Sequence, residues 1–283
     1  MNVTTPAPTL VLGARGKTGR RVVARLHDLR LPVRAASRSA PTRFDWDAPG
    51  TWGPALERAG AVYLVPPTEH LDASPVEDFV SQAVKAGVRR LVLLSGRGAD
   101  HAGEPPVERA VRESGIPWTI LRPSWFAQNF SEDRFLEPIQ AGELALPAGE
   151  GREAFVDTDD VADVAVAALT RDGHAGEVYE LSGPEPLSFR AAVSLIAEAT
   201  GRRIGYRHVN AGEYAAAQAA LGTPAEMAAL LAGLLEGIGH GSGDYVSDGV
   251  HRALGRAPRA FDDYVKATAA AGGWPEPPIR HRV

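Results

Sequence analysis

The 283-residue chain has no cysteine, which excludes disulfides, thiolate metal ligands and thiol nucleophiles. No apolar run approaches the length of a membrane span, and Met1 to Pro8 is short and polar, without an apolar signal core. The expected setting is cytoplasmic, with no membrane partner. Cations are in the minority, 30 Lys and Arg against 35 Asp and Glu, and they are scattered along the chain. A nucleic-acid platform needs a basic face, so no nucleic-acid partner is expected. The eight histidines lack H-E-x-x-H or any similar spacing, so no metal site is expected either. A G-x-S-x-G elbow is also missing, because Ser95 follows Leu93-Leu94.

What is present starts at Thr9. The stretch Thr-Leu-Val-Leu-Gly-Ala-Arg-Gly-Lys-Thr-Gly-Arg-Arg runs from a short apolar strand onto Gly13, Gly16 and Gly19, then into a helical pattern through Val22, Val23 and Leu26. That order suits a dinucleotide pyrophosphate: Gly13 for the tight turn, Gly16 for close backbone approach, Gly19 for helix against strand, and the helix N-terminus for the anion. Gly16-Lys17-Thr18 resembles the end of a P-loop, but that motif requires glycine where Val11 stands. A glycine turn can also join strand to helix with no ligand at all. What gives this one meaning is the next strand.

Val33 to Ser37 reads as that second strand, ending at Ser37 and Arg38. In NAD-binding folds an acid near this point grips the ribose 2'-hydroxyl. Here no acid occurs between Asp28 and Asp45, and Arg38 and Arg15 occupy the mouth of the same pocket. Two guanidiniums suit a 2'-phosphate, so NADPH is favoured over NADH. Asp45 and Trp46 follow, within expected reach of an adenine. The apolar strand Ala61 to Val65 stops at Pro66-Pro67, and Val65, Pro66 and Pro67 either border the cofactor or simply end the strand. With Lys17 and Thr18 in the turn, and Ser95 and Pro123 at later strand ends, these residues make up the expected cofactor site.

Strands and helices alternate from Thr9 to Pro123: helices at Thr51–Ala59, Ser74–Ala86 and Glu104–Ser114, strands at Arg90–Ser95 and Trp118–Arg122. This predicts an α/β fold, a Rossmann doubly wound parallel sheet over residues 1–184, completed by the helix 157–170, capped by Thr158 or Asp159, and a last strand at 178–181. Trp125-Phe126-Ala127-Gln128-Asn129-Phe130 then places three aromatics and two amides in six residues. Large rings suit a core, but the amides directly after a strand end point to a substrate pocket formed by Trp125, Phe126, Gln128, Asn129 and Phe130. Ala141–Phe155 reads as a glycine-rich hairpin. Residues 185–283 form a smaller, mainly helical lobe on the substrate side, with helices at 189–200, 211–221, 224–235 and 261–271, a strand at 204–208, a mobile loop at Gly237–Gly243 and a basic, proline-rich tail.

Several segments carry a resemblance: Leu12-Gly-Ala-Arg-Gly-Lys-Thr-Gly, Ala36-Ser-Arg, Phe44-Asp-Trp, Ala61-Val-Tyr-Leu-Val-Pro-Pro, Leu121-Arg-Pro-Ser-Trp-Phe-Ala-Gln-Asn-Phe-Ser, Asp159-Asp-Val-Ala and Leu181-Ser-Gly-Pro-Glu. With these, the chain resembles the NmrA-like atypical short-chain dehydrogenases, within them the festuclavine and agroclavine dehydrogenase group. The resemblance implies NADPH-dependent hydride transfer, to an iminium carbon in the alkaloid branch and to quinones or azo dyes in other relatives; a small-molecule substrate and a monomer or homodimer are expected. Ordinary members of the wider family donate a proton through Tyr-x-x-x-Lys. The corresponding helix here, Glu104 to Arg112, has neither residue. The competing implication is a non-catalytic NADP(H) sensor of the NmrA type.

Overall fold

A computed structural model describes residues 7–67, 72–100 and 103–275, so most of the basic tail lies outside the described residues. The chain divides into two compact units that interleave in sequence: residues 1–123, 158–181 and 248–257 form the first, and residues 124–157, 182–247 and 258–283 the second. Residues 124–157, read above with the first domain, thus group with the second, and 248–257 return to the first.

In chain order the first unit supplies β1 (Thr9–Val11), α1 (Lys17–Asp28), β2 (Val33–Ser37), β3 (Thr42–Arg43), α2 (Trp52–Leu56), β4 (Ala61–Leu64), α3 (Ser74–Lys85), β5 (Leu91–Leu94), α4 (Pro106–Arg112) and β6 (Trp118–Pro123). The second unit then contributes α5 (Asn129–Glu132), α6 (Leu136–Ala141), β7 (Glu143–Leu146) and β8 (Arg152–Glu153). The chain returns for α7 (Thr158–Thr170) and β9 (Glu177–Leu181), leaves for β10 (Leu187–Ser188), α8 (Phe189–Thr200), β11 (Gly205–His208), α9 (Ala211–Ala220) and α10 (Ala225–Gly239), and ends with α11 (Gly249–Leu254) in the first unit and α12 (Phe261–Ala270) in the second.

The first unit is a seven-stranded sheet in the order β3-β2-β1-β4-β5-β6-β9, every pairing parallel. Its central strands read as unbroken apolar runs, and β4 is buried at every position. This is what a parallel sheet needs when helices cover both faces. The order reverses between β1 and β4, which is where a doubly wound sheet opens a ligand crevice. The phosphate-side helix α1 is tied to α7 by charge: Arg21 pairs with Asp159, and Arg25 with Asp159 and Asp163. Asp159, read as a possible cap, therefore sits inside the first turn of α7 together with Thr158 and serves as an anchor instead.

In the second unit the expected hairpin over 141–155 does not form. Strand β7 pairs in parallel with β11, and β8 pairs with β10, because each finds its partner far along the chain rather than across a local turn. The loop expected at 237–243 is shortened, since α10 continues to Gly239 and only 240–243 form a turn. A Cβ on Gly151 would strike the Ile238 carbonyl and lie 2.7 Å from the Cα of Gly239, and one on Gly239 would lie 3.2 Å from the Ala148 carbonyl oxygen. These glycines permit close backbone contact rather than mobility. Gly151→Ala should accordingly cost about 1–3 kcal/mol in thermal or urea unfolding, whereas Gly50→Ala, with open space around it, should be close to neutral.

Candidate functional site

The three glycines of the first turn have three different local reasons. Gly13 has φ +59°, a left-handed conformation that side chains disfavour. A Cβ on Gly19 would strike the Gly13 carbonyl oxygen and lie 2.7 Å from its carbon, so α1 can approach the turn only because that side chain is missing. A Cβ on Gly16 would meet only the Gly13 carbonyl oxygen, at 3.2 Å. Gly16 is also the N-cap of α1, and no side chain caps the helix or places an acid in its first turn. Lys17, Thr18 and Gly19 form that turn, so the positive end of the helix dipole stands behind Gly16.

A cavity of about 480 Å3 opens at this point. Its walls include Gly13, Arg15 and Gly16 from the turn, Ser37 and Arg38 from the end of β2, and Val65, Pro66 and Pro67 after β4. Asp45 and Trp46 complete the sequence-expected lining. The structure adds Ser39, Phe44 and Asp47. Arg15 donates from Nη1 to Ser39 Oγ at 2.7 Å, which holds its exposed guanidinium beside the end of β2. The Ser37 hydroxyl is buried with no hydrogen-bond partner among the described residues. An orphaned hydroxyl in a cavity wall is an acceptor and donor waiting for a ligand.

The far wall is stiff. Trp46 donates from Nε1 to the Val65 carbonyl at 3.2 Å, locking the strand tip that precedes Pro66-Pro67. Its ring packs edge-on against Phe44, Trp52 and Phe79, with centroids 5.0–5.8 Å apart. The Asp45 carboxylate accepts from the Asp47 backbone N–H at 3.2 Å, and the Asp45 carbonyl accepts from Trp52 Nε1 at 2.8 Å.

Ser95 and Pro123 do not line this cavity. The two strand ends are instead tied to each other through backbone bonds from Ser95 to Leu121 and from Arg97 to Pro123. Ser95 Oγ donates to Glu108 Oε1 at 2.7 Å. Glu108 is fully buried and takes a two-pronged pair from Arg122, Nε to Oε1 at 2.9 Å and Nη2 to Oε2 at 2.7 Å. Burial alone would raise the Glu108 pKa, but the bonds from Arg122 and Ser95 outweigh it and hold the carboxyl below its ordinary range. Hydrogen bonding to Glu108 drives the Arg122 pKa upward in turn. The Ser95 proton is therefore committed to an ionised carboxylate. That network was not anticipated, and a glutamate in a short helix carries no sequence signal for it.

The aromatic segment of the second unit divides. Phe130 is fully buried, with ring centroids 5.2 Å from Phe135 and Phe155 and 5.3 Å from Phe261. Its ring is thus packed on several sides by the aromatic cluster of this unit. Gln128 is 2% exposed and donates to Asp157 Oδ1 at 2.8 Å, and Asn129 is 7% exposed, so neither amide presents an open face. Trp125 and Phe126 are half-buried and retain surface. Trp125 lies nearly parallel to Phe135, 6.1 Å between centroids and 7° between planes. Among the described residues no group of His, Asp or Glu is placed to hold a metal, and no helix is long and apolar enough to cross a membrane.

Residues 13–172 match a family described as NAD(P)H-binding. The chain is 36% identical to the uncharacterized oxidoreductase YesF of Bacillus subtilis, covering 93% of this chain and 96% of that protein. It is 30% identical to an NAD(P)H azoreductase of Xenophilus azovorans (93% and 99%) and 32% identical to festuclavine synthase II of Penicillium roqueforti (90% and 96%). An NADPH-dependent quinone oxidoreductase from Escherichia coli shares the fold at a TM-score of 0.75 and 22% identity, over 92% of this chain and 98% of that one. With its crossover cavity and parallel sheet, the chain belongs to this family of NAD(P)H-binding oxidoreductases.

Proposed function

We propose that the protein is an NADPH-dependent reductase that delivers hydride to a small aromatic or cyclic acceptor of imine, iminium, quinone or azo type, without a Tyr-x-x-x-Lys proton donor. The observation that carries this reading is the cavity at the crossover, where Arg15 and Arg38 stand where an acid would grip a ribose and the Ser37 hydroxyl is left unpaired. The fit to a phosphorylated dinucleotide is chemical: bare backbone at Gly13 and Gly16, a helix dipole through Lys17, Thr18 and Gly19, guanidiniums for a 2'-phosphate, and the Trp46 ring beside Asp45 for a base. Ser39, held to Arg15, extends the same donor set. Val65 to Pro67 and, beyond them, Ser95 and Pro123 lead along the strand ends toward the reactive half of the cofactor.

When bound, NADPH supplies the hydride. The helix α4 reads Pro-Val-Glu-Arg-Ala-Val-Arg and offers no tyrosine or lysine as acid. Ser95 cannot replace them, because its proton is held by Glu108. An acceptor that takes hydride first and its proton from water, or that is already cationic, needs no such acid. The azoreductase and festuclavine synthase relatives support that acceptor class. Trp125 and Phe126 are the members of the aromatic segment with surface left to meet a flat molecule.

Titration with NADPH and NADH, followed through tryptophan fluorescence, tests the cofactor assignment directly, since Trp46 lines the cavity. NADPH should bind more tightly. Arg38→Ala should weaken NADPH by about 1.5–3 kcal/mol, the scale of a charged hydrogen bond, and leave NADH nearly unchanged. Equal losses for both cofactors would remove Arg38 from the 2'-phosphate. NADPH oxidation across a panel of quinones, azo dyes and cyclic imines tests turnover, and a blank panel alongside tight NADPH binding would favour a sensor.

A further inference from the structure

The second unit contains a recess of its own, about 210 Å3. Its apolar wall comes from Phe135, Leu144, Leu146 and Val209, all buried. A dry cavity of roughly 150 Å3 is enough to hold a benzene ring. The polar lining is unequal in its commitments. Glu213 is occupied in a capping box, its Oε2 accepting from the Asn210 backbone N–H at 3.1 Å. Arg207 donates to Glu143 Oε1 at 2.8 Å. Arg134 forms no ion pair among the described residues, and it interacts with the buried Tyr214, which lines the same recess. Gln218 adds an amide at the rim.

A half-buried guanidinium without a carboxylate partner among the described residues, at the edge of an apolar wall sized for one ring, is complementary to a flat anion. We infer that this recess binds a small aromatic monocarboxylate, its carboxylate on Arg134 and the Tyr214 hydroxyl and its ring against Phe135, Leu144, Leu146 and Val209. The site lies wholly within the second unit and does not depend on the cofactor reading.

Calorimetric titration of the full-length protein with benzoate tests it, with benzyl alcohol as the uncharged counterpart and acetate as the one without a ring. Benzoate should bind saturably at one site, and both counterparts about tenfold or more weakly. Arg134→Gln should weaken benzoate by about tenfold or more, the loss of a charge-assisted bond. Ala217→Leu, at an exposed position of α9 that lines the recess, should block it sterically. Unaltered circular dichroism and melting temperature would show that both variants fold. No saturable benzoate binding below about 20 mM, weaker than nine heavy atoms in a fitted pocket give, would overturn the inference. So would benzyl alcohol or acetate binding as well as benzoate, or unchanged benzoate affinity in either variant.

Discussion

Replacing Glu108 by alanine should destabilise the protein by about 3–5 kcal/mol, the cost of leaving a buried charge without its partner. Glu108 and Arg122 are almost completely buried, and the pair is bidentate, so little solvent is available to take over when the carboxylate goes. Asp100, the other carboxylate on Arg122, is partly exposed and compensates incompletely. Urea unfolding measures the loss, and a change below about 1 kcal/mol, the size of a surface pair, would show that the network does not hold the strand ends. The pH dependence has a fixed sign. The Glu108 carboxyl titrates lower in the folded protein than in the unfolded chain, so its contribution is complete above about pH 4.3, the unfolded carboxyl value. It disappears as pH falls through the folded value. Glu108→Gln should remove that part of the acid sensitivity.

The second large effect is expected at Gly19. Alanine is the better helix former by about 1 kcal/mol, so on propensity alone Gly19→Ala would stabilise α1. The added Cβ, however, would strike the Gly13 carbonyl oxygen and sit 3.0 Å from the Ala14 Cα, both backbone atoms with nowhere to go. A net loss of about 3 kcal/mol is expected, the upper end for overpacking, together with loss of NADPH affinity as the helix N-terminus is pushed off the turn. Gly16→Ala is the informative contrast. Its Cβ meets one atom at 3.2 Å, and Gly16 lines the cavity. Folding should survive nearly intact while NADPH binding weakens, and matching losses in the two variants would mean that the glycines share one structural role.

How legible all this was from sequence depends on how local each cause is. The roles of Gly13 and Gly19, the parallel sheet and the lining by Arg15, Arg38, Trp46 and Pro66 follow from short-range order, and the structure brings the lining residues to one cavity. Other features turn on distant partners. Glycine has the same letter whether it serves a turn or makes room for another backbone, so Gly239 reads as loop until Ala148 is placed against it. Phe130 reads as pocket until Phe155 and Phe261 surround it, and β7 reads as half of a hairpin until β11 takes its edge. Ser39 was one residue beyond the recognised Ser37-Arg38 pair, whereas the Ser95–Glu108 bond had no sequence signature.

The interleaving of the two units limits how this protein can be divided. A chain cut after residue 184 would lose not only most of the second unit but also α11 and Arg256, whose guanidinium reaches the fully buried Asp160 at 2.7 Å. The dinucleotide-binding half is therefore not a detachable cassette. Any chimera that borrows it must carry residues 248–257 along, which follow residues 182–247 of the other unit in sequence.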